Sequence, residues 1–62
     1  MTTRVETVIL SHLSDAQIEI SHNPELALNR IKFARLLVFT YPDTTVNVTM
    51  DELDDLWSSM FK

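Results

Sequence analysis

Apolar residues crowd the middle of this chain. Between Pro24 and Tyr41 the run Leu26, Ala27, Leu28, Ile31, Phe33 and Ala34 continues through Leu36, Leu37, Val38 and Phe39, and after Glu25 only Arg30, Lys32 and Arg35 carry charge. Placed at about 100° per residue, Phe33, Leu26, Leu37, Tyr41, Ala34 and Ala27 extend through Val38 to Ile31 as one wide face broken by Arg30. Leu28, Leu36 and Phe39 fall outside it, beside Lys32 and Arg35. Asn23-Pro24-Glu25 marks where this helix begins, with Asn as the cap, Pro at the first position where its missing amide costs nothing, and an acid facing the positive end of the dipole. Pro42 marks its end by disfavouring helical geometry at Tyr41. The pattern predicts a helix over 24–40.

Upstream, Val5, Val8, Ile9, His12, Leu13, Ala16 and Ile20 share an arc, opposite Glu6, Thr7, Ser11, Ser14 and Gln17. Thr3 and Glu6 have the spacing of a capping box, so a helix over 4–20 is predicted. Ser14-Asp15-Ala16-Gln17 resembles a second start, but the apolar arc stays in phase across it and favours one continuous helix. The short link Ser21-His22-Asn23 predicts an antiparallel hairpin. Downstream, Asp43 to Val48 has no helical period, and the alternation of Val46 and Val48 suits a short extended segment with one face on the core. Its edge is also able to pair with a second copy. Thr49 and Glu52 repeat the capping-box spacing ahead of a helix over 50–61, on which Met50, Leu53, Leu56, Trp57, Met60 and Phe61 share an arc.

The predicted architecture is a small all-α, three-helix domain spanning 1–62: a helical hairpin, an extended connector and a C-terminal helix. At 62 residues such a domain is marginally stable and needs reinforcement. With no Cys, disulfides and thiolate metal sites are excluded, and oligomerisation is the remaining route. The complete lack of Gly favours helices over tight hairpins and phosphate-binding loops. A net charge of −4 argues against affinity based on phosphate neutralisation. No secretory or membrane-spanning run is evident, since Val8 to Leu10 is only three residues long, so cytoplasmic residence is expected. Asn47-Val48-Thr49 is read as a chance match to the glycosylation sequon.

No residue set suggests catalysis, a cofactor or a metal site. His12 and His22 have neither a helical zinc spacing nor a finger spacing. His12 lies in the apolar arc, where a partly buried, hydrogen-bonded ring is the expected role, and His22 adjoins the negative end of the first helix. Asp51 and Asp55 lie one turn apart on a polar face without the loop that calcium requires. No nucleophile elbow is present.

The chemistry of the chain therefore points to surfaces. Leu28, Lys32, Arg35, Leu36 and Phe39 form the predicted interface for a homodimer, with Leu10 and Ile18 as possible additions. The competing reading covers that stripe with the connector or the C-terminal segment of the same chain. Leu53, Leu56, Trp57, Met60 and Phe61 either wall the core or dock into the groove of a partner protein, the core being favoured. The expected function is a protein–protein interaction module, an adaptor, inhibitor or regulator that self-associates through helical surfaces. The alternative is a nucleic-acid-linked role, with Asp51, Glu52, Asp54 and Asp55 mimicking a phosphate backbone or the second helix binding directly. The latter is disfavoured because Arg30 points away from Lys32 and Arg35.

Overall fold

The computed structural model describes residues 2–61. Their order is β1 (Thr2–Arg4), α1 (Val5–Glu19), α2 (Pro24–Thr40), β2 (Asn47–Thr49) and α3 (Met50–Met60). The three expected helices are present, and α1 runs unbroken through Ser14. The all-α description requires one correction, a two-stranded ribbon in which β1 and β2 run antiparallel with Thr2 opposite Thr49, Thr3 opposite Val48 and Arg4 opposite Asn47.

That ribbon also overturns the capping box at Thr3. The residue preceding α1 is Arg4, in extended geometry, and no side chain caps the helix. The connector does so through its backbone: Val5 N–H donates to the Val46 carbonyl and Glu6 N–H to the Thr44 carbonyl, each at 2.9 Å. Two of the unpaired amides of the first turn are thereby satisfied without a side-chain acceptor. Asp43 holds the connector in shape, accepting from Thr45 N–H at 3.0 Å and from the Thr45 hydroxyl at 2.6 Å.

The other two starts are built as their sequences dictate. Asn23 Oδ1 accepts from Leu26 N–H at 3.2 Å with Pro24 in the first turn, and Thr49 Oγ1 accepts from Glu52 N–H at 3.2 Å. Between α1 and α2 the chain turns over Ile20 to Asn23, where His22 and Asn23 N–H groups both donate to the Glu19 carbonyl. This tight reversal makes α1 and α2 a hairpin.

The core is Val5 and Val8 of α1, Phe33 and Leu37 of α2, Val48 of β2 and Leu53 of α3. Leu56, Trp57, Met60 and Phe61 pack against it, so the apolar face of α3 is a wall of the chain's own core. Val48 is fully buried while Val46 is 38% exposed, the alternation expected of a strand with one face inward. Ala16, Ala27 and Ala34 are also buried.

Candidate functional site

The residues expected to form an interface divide into two groups. Lys32, Arg35, Leu36 and Phe39 line a shallow groove of about 430 Å³ together with Met60 of α3. Leu28 is exposed but lies outside that groove. Leu36 is half-buried and packs on the core cluster, which makes it the floor of the groove and couples it to folding. Phe39 is 85% exposed, an unusual position for a phenyl ring, and stands as a ridge.

On the other side of that ridge lies a second and more apolar depression. Ile9 and Leu13 of α1 face Ala34, Val38 and Phe39 of α2 across a trough of about 380 Å³, with Arg35 as its single charged lining residue. No α3 side chain reaches it. Its cause is a spacing in both helices. Ile9, Leu13, Ala16 and Ile20 recur at intervals of four, three and four, and so do Ala27, Ile31, Ala34 and Val38. This is the seam spacing of packed helix pairs. The three alanines are buried, Ala34 in the lining of the trough, and Leu13, Ile20, Ile31 and Val38 remain exposed. Ile9, Leu13 and Val38 stand around the small Ala34 as the walls of the trough.

The wide face of α2 is therefore only partly covered. Phe33, Leu37, Ala34 and Ala27 are buried, whereas Val38 is 51% exposed, so the apolar excess continues onto the side of the hairpin away from α3. The arc on α1 divides in the same way, with Val5, Val8 and Ala16 buried and Leu13 and Ile20 in solvent. The angular pattern identified which residues share a face. The shared four-three-four spacing was the overlooked signal that two helices cooperate to form an exposed strip.

A polar and aromatic cluster joins the hairpin to α3. The His12 ring meets the edge of Phe33 with centroids 4.9 Å apart and lies nearly parallel to Trp57 at 5.9 Å. Trp57 in turn contacts Phe33 and Phe61. Arg30, which interrupts the wide face of α2, donates from Nε to Glu19 at 2.6 Å and from Nη1 to His12 Nδ1 at 3.2 Å, with Asp15 at 3.6 Å. A guanidinium has only donors, so His12 must accept at Nδ1 and is neutral in this arrangement. Burial, then the Arg30 charge, lowers the His12 pKa from the ordinary 6.5, against the smaller opposing influence of Asp15 and Glu19. The hydrogen bond to Glu19 raises the already high pKa of Arg30.

His12, Arg30 and Phe33 line a cleft of about 310 Å³ with Met50, Leu53, Asp54 and Trp57. Arg30 bonds to His12 within the cleft and to Glu19 beside it, which suits a structural tie. His22 is exposed and takes no part in the cluster. Among the described residues, no group of three or more His, Asp or Glu side chains is placed to hold a metal ion, and no helix is long and apolar enough to cross a membrane. The chain is thus a mostly helical three-helix domain with a strand ribbon and an exposed hairpin face. Compared with protein-family models, curated proteins and solved structures, it matches none.

Proposed function

We propose that this chain is a small protein–protein interaction module, an adaptor, inhibitor or regulator that works in the cytoplasm by presenting helical surfaces and that self-associates. The observation that carries this reading is the apolar hairpin face, with Ile9, Leu13, Ala34 and Val38 around a trough beside an 85%-exposed Phe39. Full burial of one such aliphatic or phenyl side chain is worth about 1.5 to 3 kcal/mol, a large gain for a domain of this size.

Affinity capture from the native cell tests the reading with wild type and Phe39→Asp. The expected result is loss of a co-purifying protein by the variant while its circular dichroism stays helical. Identical capture by both proteins would count against the hairpin face.

One observation favours a second reading. Asp51, Glu52, Asp54 and Asp55 are all exposed on α3 and give that side an acidic surface, as a phosphate-backbone mimic would need. Salt-sensitive association with a basic protein, lost when Asp54 and Asp55 become Asn, is its signature. Direct nucleic-acid binding by α2 is less well supported, because Glu19 and Asp15 already engage Arg30, leaving Lys32 and Arg35.

A further inference from the structure

We propose that the hairpin face is closed by a second copy of this chain, packed hairpin on hairpin about a twofold axis, so that α1 and α2 of both copies form a four-helix layer with the α3 helices outermost. This rests on the interaction-module reading and specifies the partner of its working surface. Three features of the face select a second copy over another occupant.

Shape is the first. A trough with Ala34 at its base and Ile9, Leu13, Val38 and Phe39 around it is self-complementary, because the aliphatic side chains of one copy fit the trough of another when two hairpins are laid together. Both ingredients lie on the same surface patch, as a twofold interface requires. Phe39, at the border of the trough, supplies the largest exposed side chain for covering it.

Charge distribution is the second. A protein of net charge −4 associates with itself only where its acids do not meet. Asp15 and Glu19 are turned to Arg30, and Asp51, Glu52, Asp54 and Asp55 lie on α3. No acid lines the trough, and its one charge, Arg35, is exposed and has a stem long enough to carry its head to solvent. The trough is therefore a place where two acidic copies bring no lining carboxylates together. A basic partner finds no matching acids there, and an acidic one finds a single arginine.

Area is the third. Helices of 15 and 17 residues, side by side, present a face on the order of 500 Å² in flat projection, and more when its corrugation is counted. A stable interface takes about 800 Å² from each partner. Two such faces related by a twofold axis together bury on the order of 1,000 Å², the lower end of specific interfaces, with Leu13, Ile20, Ile31, Val38 and Phe39 covered together. The groove on the far side of Phe39, formed with Met60, stays outside this contact.

Sedimentation of the full chain from low to high micromolar concentration tests the proposal. Wild type is expected to sediment as a dimer at the upper end, and Leu13→Asp and Val38→Asp to shift the midpoint at least tenfold higher with unchanged helical circular dichroism. Leu28→Asp, an exposed change outside the trough, is expected to leave the midpoint within about twofold. If an Asp variant unfolds, Leu13→Cys supplies the second measurement. The chain has no other cysteine, and protection of this thiol from alkylation on raising protein concentration supports the dimer, while undiminished alkylation overturns it. A wild type that remains monomeric at high micromolar concentration also overturns it. The capture experiment then separates the failures. Loss of a cellular partner by Val38→Asp would keep the interaction-module reading with a different occupant, and unchanged capture would remove both.

Discussion

At the scale of single residues, His12 and Arg30 are the most informative pair, because one is neutral for the other's sake. Lowering of the His12 pKa in the folded state means that the unfolded chain holds that proton more tightly. The contribution is complete above 6.5, declines as pH falls through that value and levels off below the folded pKa, where both states are protonated. Around the ring stand Asp15 and Glu19 on its own helix, Arg30 on α2 and Asp54 in the cleft on α3. Thermal melts are expected to show a lower Tm at pH 5 than at pH 7, with His12→Phe weakening this dependence. Arg30→Met provides a sharper check by nuclear magnetic resonance titration. Losing the cation removes a lowering influence and leaves Asp15 and Glu19 to raise the value, so the His12 pKa must rise even though burial is kept. The same variant is expected to cost about 1 to 2 kcal/mol, the worth of a charge-assisted hydrogen bond in a partly solvated setting. No rise in the His12 pKa would mean that burial alone controls it.

Among the elements, two identical local patterns have different fates. Thr3 and Glu6 match the spacing of Thr49 and Glu52, yet only Thr49 caps a helix. Thr49→Ala is therefore expected to cost about 1 kcal/mol, as is Asn23→Ala, while Thr3→Ala costs about half that or less through its place in the ribbon. Urea denaturation of the three variants would rank them, and equal losses at Thr3 and Thr49 would show that the ribbon carries more than a three-residue pairing should. The contrast explains what could be read in advance. Asn23, Pro24 and Pro42 act on their immediate neighbours, so both ends of α2 were legible, and the phase of the α1 arc was enough to carry that helix through Ser14. The first turn of α1 is finished by carbonyls of Thr44 and Val46, some forty residues distant, and no local pattern announces such an acceptor. The candidate surface was half legible for a related reason. Angular position put Leu28, Lys32, Arg35, Leu36 and Phe39 on one side of α2, and all but Leu28 line one groove, but how far a neighbour covers such a side depends on packing between helices that no single helix's pattern specifies.

For the whole molecule, the question is how little stability 62 residues leave to spare. At about 0.05 to 0.15 kcal/mol per residue the domain holds roughly 3 to 9 kcal/mol. Phe33→Ala or Leu37→Ala, each at a fully buried site shared by α2 and the core, removes about 3 to 5 kcal/mol. Such variants are expected to be substantially unfolded when dilute and to recover helical signal as concentration rises, because association stabilises the folded state by mass action. Circular dichroism melts across a hundredfold concentration range would show this as a rising Tm, and a concentration-independent Tm would exclude coupled folding and assembly. The ribbon adds a constraint of order in time. Helices α1 and α2 are neighbours along the chain and can associate once the second has been synthesised, but Thr2 waits for Thr49 and Val5 for Val46. Thr2 to Arg4 have no partner strand until Asn47 to Thr49 have been made. A fragment ending at residue 40 would have no Thr44 or Val46 carbonyl to cap its first helix, and the core side of Phe33 and Leu37 would stay open. The earlier strand of the ribbon is made before the hairpin and placed after it.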